Sequence, residues 1–309
     1  MLLSTRRDVL RTSLLLPFAP ILSAIPLSQI KLGVTTDEID EDVKTAAKFL
    51  GEYGLKWAEV RSIWGKYNTE QPIDKIREAR AIFDEHGIHV SIEGTGFFKV
   101  PLPPDNAEGQ RKLDEQWILL DGACERAKAF GTDKIRVFGF TYKQGETPDE
   151  TRDEKIYGRI YELLSEAGRR AKGRGLRLAV ENVGGSYIST GAQSAALLKK
   201  VKDANVGLTW DPNNAGASGE DAFPGGYRKL DPARIFHVHL RDYKHNPDGK
   251  VEWSAVGEGE FDNASQIRSL IKDGYKETFT LETHWKSPKG KAYATATSLK
   301  ALLQVIGRV

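Results

Sequence analysis

The chain has 309 residues, 39% of them hydrophobic and 28% charged, and a formal net charge of +2. That size suits one large globular domain, and the near-neutral balance gives no support to a nucleic-acid-binding surface. Cys124 is the only cysteine, which excludes an intramolecular disulfide; it falls in an apparently helical run, Trp117–Phe130, and reads as a small core residue.

Thr5-Arg6-Arg7-Asp8-Val9-Leu10-Arg11 resembles a twin-arginine export signal. Residues 12–27 carry no charge and are rich in Leu, Ile and Pro. That run is short for a spanning helix, which needs about 20 residues. Residues 1–28 are therefore expected to be a signal peptide, with cleavage near Ser23-Ala24 or Leu27-Ser28, and residues 29–309 the exported, periplasmic protein with no stable membrane association. The alternative is an uncleaved anchor.

From Ile30 onward one unit recurs: apolar strand, polar loop, amphipathic helix, glycine. Expected strands are Ile30–Thr35, Lys56–Arg61, Ile88–Glu93, Lys134–Phe138, Leu176–Glu181, Val206–Asp211, Ile235–Leu240 and Thr278–Glu282. The helices between them run over Asp37–Tyr53, with Val43, Ala46, Ala47 and Leu50 on one face, then Pro72–His86 and Glu108–Phe130. Thr147-Pro148-Asp149-Glu150 reads as a capping box opening a helix that reaches Lys172. Ala192–Lys202 follows. Residues 215–230 are Gly-rich and only weakly helical. Asp262 caps a helix to Asp273, and Tyr293–Ile306 closes the chain. Eight strand–helix units predict a parallel sheet that closes, an α/β fold of the (β/α)8 TIM-barrel type. No glycine-rich dinucleotide fingerprint follows the first strand, which argues against an open doubly wound sheet.

In such a barrel the residues at the C-terminal ends of the strands build the active site. Strand one offers little beyond Thr35. Strands two to four offer Glu59, Arg61, Glu93 and Arg136. Strands five to eight offer Glu181, Asp211, His239 and Glu282, three carboxylates and an imidazole in matching positions, as a divalent-metal site requires. Oxygen-rich donors favour Mn2+, with Mg2+, Co2+ or Zn2+ as alternatives. His237 and His239 share a face, and His239 lies nearer the strand end. His237, one layer down, is expected to pack or support the site, with substrate contact as the alternative. Trp64, Phe97, Phe98, Trp210, Trp253 and Trp285 cluster near the same end, and at least two are expected to line the pocket.

The motifs Ala179-Val180-Glu181-Asn182, Trp210-Asp211-Pro212-Asn213-Asn214, His237-Val238-His239-Leu240-Arg241-Asp242, Val256-Gly257-Glu258-Gly259-Glu260-Phe261 and Leu281-Glu282-Thr283-His284 occur in this order. Over residues 30–306 the chain resembles the xylose isomerase-like TIM-barrel family, also called the sugar phosphate isomerase/epimerase family. The resemblance implies that Glu181, Asp211, His239 and Glu282 bind one metal, and that Glu181 and Glu282 move protons on opposite faces of a bound sugar. It also implies that Asn214, where the family often has histidine, and Arg241 meet substrate oxygens, and that the Gly257-Glu258-Gly259 turn shapes a loop over the site. Trp64 and Trp285 are expected to stack on the sugar. The expected activity is isomerisation or epimerisation of a keto-sugar or cyclitol through an ene-diolate. A dehydratase or lyase on similar substrates is the alternative, and a non-catalytic sugar-binding protein is the third reading. A homo-oligomer is compatible with the sequence.

Overall fold

Eight parallel strands close into a barrel in the computed structural model, whose described residues are 30–307. The expected signal peptide lies outside the described residues. The strands are β1 (Lys31–Thr35), β2 (Trp57–Val60), β3 (His89–Gly94), β4 (Lys134–Val137), β5 (Arg177–Glu181), β6 (Val206–Trp210), β7 (Ile235–Leu240) and β8 (Thr278–Leu281). Each pairs with the next, and β8 returns to β1 with Lys31 opposite Thr278. β4, β6, β7 and β8 are buried along their whole length. Interior side chains cover one face of each strand and helices the other, which explains their near-continuous apolar character.

The surrounding helices are α1 (Val43–Glu52), α2 (Ile73–Glu85), α3 (Ala107–Phe130), α4 (Glu154–Lys172), α5 (Gly191–Lys200), α6 (Pro212–Ala217), α7 (Asn263–Lys272) and α8 (Lys291–Ile306). None of them is long and apolar enough to cross a membrane. α1 buries Val43, Ala46, Ala47 and Leu50, the face expected from their spacing.

Three boundaries differ from the sequence reading. The first helix starts at Val43, not Asp37, because Asp42 takes the N-cap and accepts from Thr45 N at 2.8 Å. A separate 3-10 turn, Thr36–Glu38, precedes it and turns two acids toward the barrel mouth. The Thr147–Glu150 capping box does not form. Glu150 instead accepts from the Tyr161 hydroxyl at 2.9 Å, Asp149 accepts from Arg152 N at 2.9 Å, and α4 begins only at Glu154. α6 opens directly after β6, where Asp211 caps it and Pro212 occupies its first turn.

The floor of the barrel is packed. The register between β6 and β7 shifts between Leu208 and Thr209, skipping Phe236. Phe236 clusters with Ile92 and Ala179. Gly207 makes this possible, since a Cβ there would collide with the Phe236 ring and the Arg234 carbonyl. At the other end a hairpin, Asp242–His245 with Val251–Ser254, rises from β7 and carries Trp253 over the mouth. Asp242 fixes the following loop by accepting from Gly257 N at 2.9 Å, Phe261 N at 3.1 Å and Gly259 N at 3.3 Å. A Cβ on Gly259 would collide with that carboxylate, so this glycine is required by close approach.

Candidate metal centre

Glu181 is the last residue of β5, Asp211 and Glu282 each follow their strand by one residue, and His239 lies near the end of β7. All four are buried, and one donor atom from each lies within 4.8 Å of the others. His239 Nδ1 faces Glu181 Oε1 at 3.4 Å, Glu282 Oε2 at 3.4 Å and Asp211 Oδ2 at 3.7 Å, yet it makes no hydrogen bond among the described residues. The other ring nitrogen, Nε2, sits 2.8 Å from Glu59 Oε2. With the proton on Nε2 and donated to Glu59, the Nδ1 lone pair points at the three carboxylates. A carboxylate behind a histidine is the usual support of a metal-ligating imidazole. An unpartnered buried nitrogen amid three carboxylates fits a divalent cation.

The electrostatics agree. Burial alone would lower the pKa of His239, but Glu59, Glu282 and Glu181 outweigh it and raise the imidazole well above its ordinary value. A proton and a divalent cation answer the same negative field, so they compete for this position. Burial pushes Glu282 upward, but His284, His239, Arg241 and Arg61 hold it well below the usual carboxylate range. Asp211 is also lowered, its burial outweighed chiefly by Arg241 and His239.

Three arginines supply the countercharge. Arg136 Nη1 reaches Glu59 at 3.1 Å, Glu181 at 3.3 Å and Glu282 at 3.5 Å. Arg61 Nη1 donates to Glu282 Oε1 at 2.7 Å, while its Nη2 holds Asp37 at 2.7 Å and Glu38 at 3.0 Å. Arg241 bridges Asp211 and His284 Nδ1. Asn214 Nδ2 donates to Asn182 O at 2.9 Å, Asp211 Oδ2 at 3.1 Å and Glu181 Oε1 at 3.3 Å, so it orients two of the carboxylates.

A cleft of about 310 Å3 opens above this cluster, lined among others by Lys99, Asn214, Arg241, Trp253, Glu282 and His284. Lys99 has no carboxylate partner among the described residues and lies over the Phe138 ring at 4.6 Å. Trp285 lines an adjoining cavity.

Other expected residues are placed elsewhere. His237 is fully buried beneath His239 and bonds Glu59 at 3.0 Å. This is the supporting role expected of it; the alternative of substrate contact is corrected, since the layer of Glu59 and His239 separates it from the cleft. Trp64 does not line the cleft and packs under Lys75, 5.0 Å from its ring. Trp210 points outward, and its indole donates to Gln266 of α7. Phe97 and Phe98 stack on each other at 3.8 Å inside the core. Glu93 is buried away from the cluster, with neither carboxylate oxygen hydrogen-bonded among the described residues.

Sequence reasoning gave no role to Asp37, Glu38, Lys99 or His284. Asp37 and Glu38 were hidden inside an overextended helix. Lys99 lies in the long loop after β3, where no period points to it. His284 was visible in its motif, but its place depends on a left-handed backbone, with φ 50°.

The chain's family model is described as a xylose isomerase-like TIM barrel and matches residues 47–304. No curated protein sequence matches the chain significantly. Among solved structures, the IOLI protein with a bound zinc atom is 18% identical, with a TM-score of 0.73 over 90% of this chain and 99% of that one. D-allulose 3-epimerase from Methylomonas sp., in complex with D-allulose, is 16% identical, with a TM-score of 0.68 over 91% and 98%. A probable 3-DHS dehydratase from Bacillus anthracis, AsbF, is 16% identical, with a TM-score of 0.67 over 89% and 99%. At these identities the structures speak to the fold, while the family model spans most of the chain, and on that match the chain belongs to the xylose isomerase-like TIM-barrel family.

Proposed function

We propose that this protein is a metal-dependent isomerase or epimerase of a keto-sugar or cyclitol. The observation that carries the reading is the free Nδ1 of His239, aimed at Glu181, Asp211 and Glu282 and backed by Glu59. These four residues would hold the ion, and their mostly oxygen donors favour Mn2+ over Zn2+. A divalent ion there supplies a Lewis acid that acidifies the C–H beside a substrate carbonyl.

The chain's own residues do the rest. Glu181 and Glu282 come from β5 and from the end of β8 and serve as proton acceptor and donor on two sides of the substrate. The cations around Glu282 keep it ionised, the form a proton acceptor needs. Arg136, Arg61 and Arg241 face the negative charge that develops on an ene-diolate, in a buried setting where fixed charges act strongly. The hairpin bearing Trp253 supplies one wall of the cleft.

Elimination is the second reading, favoured by Lys99. Its ammonium lines the cleft without a carboxylate partner and is placed to protonate a departing oxygen. The epimerase and the dehydratase among the structural relatives are compatible with the two readings respectively. Incubation of the Mn2+-loaded protein with a panel of keto-sugars in deuterium oxide tests the shared first step. Exchange at the carbon next to the carbonyl is expected, and its absence across the panel rejects both readings.

Export is proposed on the twin-arginine motif alone. Replacing Arg6 and Arg7 by Lys is expected to retain the protein in the cytoplasm, and unchanged periplasmic recovery would reject it.

A further inference from the structure

The inner cleft is not the end of the binding surface. Beyond it lies a larger cavity of about 680 Å3, lined by Asp37, Glu38, Glu41, Trp285, Lys286 and Lys291, among others. The two spaces share Trp253 and His284 as a common wall. Trp253 is held in place from both sides. Its ring lies 4.2 Å from the Arg241 guanidinium and 6.0 Å from the His284 ring, which meets it edge-on. At His284 the backbone takes φ 50°, a conformation costly for a non-glycine residue. That turn presents His284 to both spaces and Trp285 to the outer one.

The chemistry of the outer cavity differs from that of the inner cleft. Asp37 and Glu38 share one guanidinium, that of Arg61, and with Glu41 they face the ammonium groups of Lys286 and Lys291 across the cavity. Glu41 Oε1 accepts from Lys291 at 2.9 Å, while its Oε2 accepts no hydrogen bond among the described residues. The result is a charge-balanced, hydrogen-bonding cavity with two indole walls. A phosphate would meet Asp37, Glu38 and Glu41 as well as Lys286 and Lys291, so its charge gains no net attraction there. A purely apolar group would leave the polar wall unpaired. A neutral sugar ring satisfies both, with C–H faces for the indoles and hydroxyls for the acids and amines.

We propose that the outer cavity is a second sugar subsite, so that the substrate is a glycoside whose reacting keto-sugar occupies the inner cleft and whose neighbouring neutral ring rests against Trp285 and Trp253. This rests on the functional reading above and narrows its substrate class.

Calorimetric titration of the full, Mn2+-loaded chain tests it, comparing D-fructose with the glycosyl-ketoses maltulose, isomaltulose and lactulose. At least one disaccharide is expected to bind about tenfold more tightly than fructose, the scale of one aromatic contact with its buried area. Trp285→Ala is expected to bring that ratio to about one, and Trp285→Phe to preserve it. Glu41→Gln, a second probe of the same cavity, is expected to lower the ratio about threefold. Disaccharides that bind no more tightly than fructose overturn the subsite alone. So does a Trp285→Ala protein that loses affinity equally for both classes. Failure of every sugar to bind the metal-loaded protein removes the functional reading and the subsite with it.

Discussion

The two ends of the barrel handle charge in opposite ways. At the floor, Lys134 and Arg177 each pair with Glu277 at 2.9 Å, and Arg177 also holds Asp133 at 2.7 Å. Arg177 and Glu277 remain partly exposed, at 29% and 28%, so water shares the work of solvating them. At the mouth the charges are buried and several polar atoms have no hydrogen-bond partner among the described residues: His239 Nδ1, Glu282 Oε2, and the Nε atoms of Arg136 and Arg241. Burying charge without full pairing costs stability. The floor is arranged to hold the barrel closed, whereas the mouth gives up stability for a field that a cation and a substrate can complete.

Breaking the mouth should have the largest effect. Asp211→Asn removes a ligand charge and is expected to lose bound metal and deuterium exchange together, read by elemental analysis and mass spectrometry. Glu282→Gln and Glu181→Gln are expected to keep more metal but to lose about 10²–10⁴-fold in activity, the range for a positioned general base. If both glutamine variants still exchange one proton without completing turnover, the reaction is an epimerisation. Exchange in only one variant identifies an elimination. Full activity in either would withdraw its assignment.

Glu59→Gln sharpens the comparison one layer down. It leaves the four proposed ligands in place but weakens the acceptor behind His239. Metal affinity is expected to fall about 10- to 100-fold, as for other partners of metal-bound histidines. Unchanged affinity in a competition assay would show that Glu59 serves packing alone.

Glu93 provides a contrast in sign. Burial, opposed only in part by Arg126, raises its pKa well above the ordinary value, so the fold favours its neutral form. Its contribution is fully present below the unfolded-state pKa, about 4.3, and is lost as pH rises toward its folded value. Glu93→Gln is therefore expected to match the wild type in thermal stability near pH 4 and to exceed it increasingly toward pH 8. Asp211 and Glu282 have depressed values, so their contribution is present above the unfolded pKa and lost as pH falls through the folded one. Melting curves against pH separate the two behaviours. A Glu93→Gln gain that does not grow with pH would reject the assignment.

The smallest effect is expected at the floor. Glu277→Gln breaks one partly exposed ion pair, to Arg177, and one to the buried Lys134, which keeps Asp133 at 3.7 Å, and should cost about 1 kcal/mol in thermal or denaturant unfolding, with exchange activity unchanged. A large loss of activity would mean that the two ends are coupled.

Much of this arrangement was legible in the residues. The alternation of apolar strands with amphipathic helices and glycines pointed to eight units, and the matching ends of strands five to eight pointed to Glu181, Asp211, His239 and Glu282. Both follow from local periodicity, which a side chain's own neighbours in the chain determine. The boundaries near Asp37 and Thr147 were misread, because a cap depends on which acid wins the free backbone amides. Asp42 won at α1, and ahead of α4 Glu150 was drawn away to Tyr161.

Partner choice was the part only the tertiary structure decided. Glu59 and His239 lie 180 residues apart in sequence, and Arg61 and Glu282 lie 221 apart. They meet because β8 closes onto β1 and the register around the ring sets which inward side chains share a layer. The same closure turns His237 into a buried support for Glu59, points Trp210 at α7 rather than the cleft, and brings Trp285 to the outer cavity. Periodicity along a strand tells which side chains face inward. Only closure of the ring, with its register shift at Phe236 and its left-handed turn at His284, determines which of them meet.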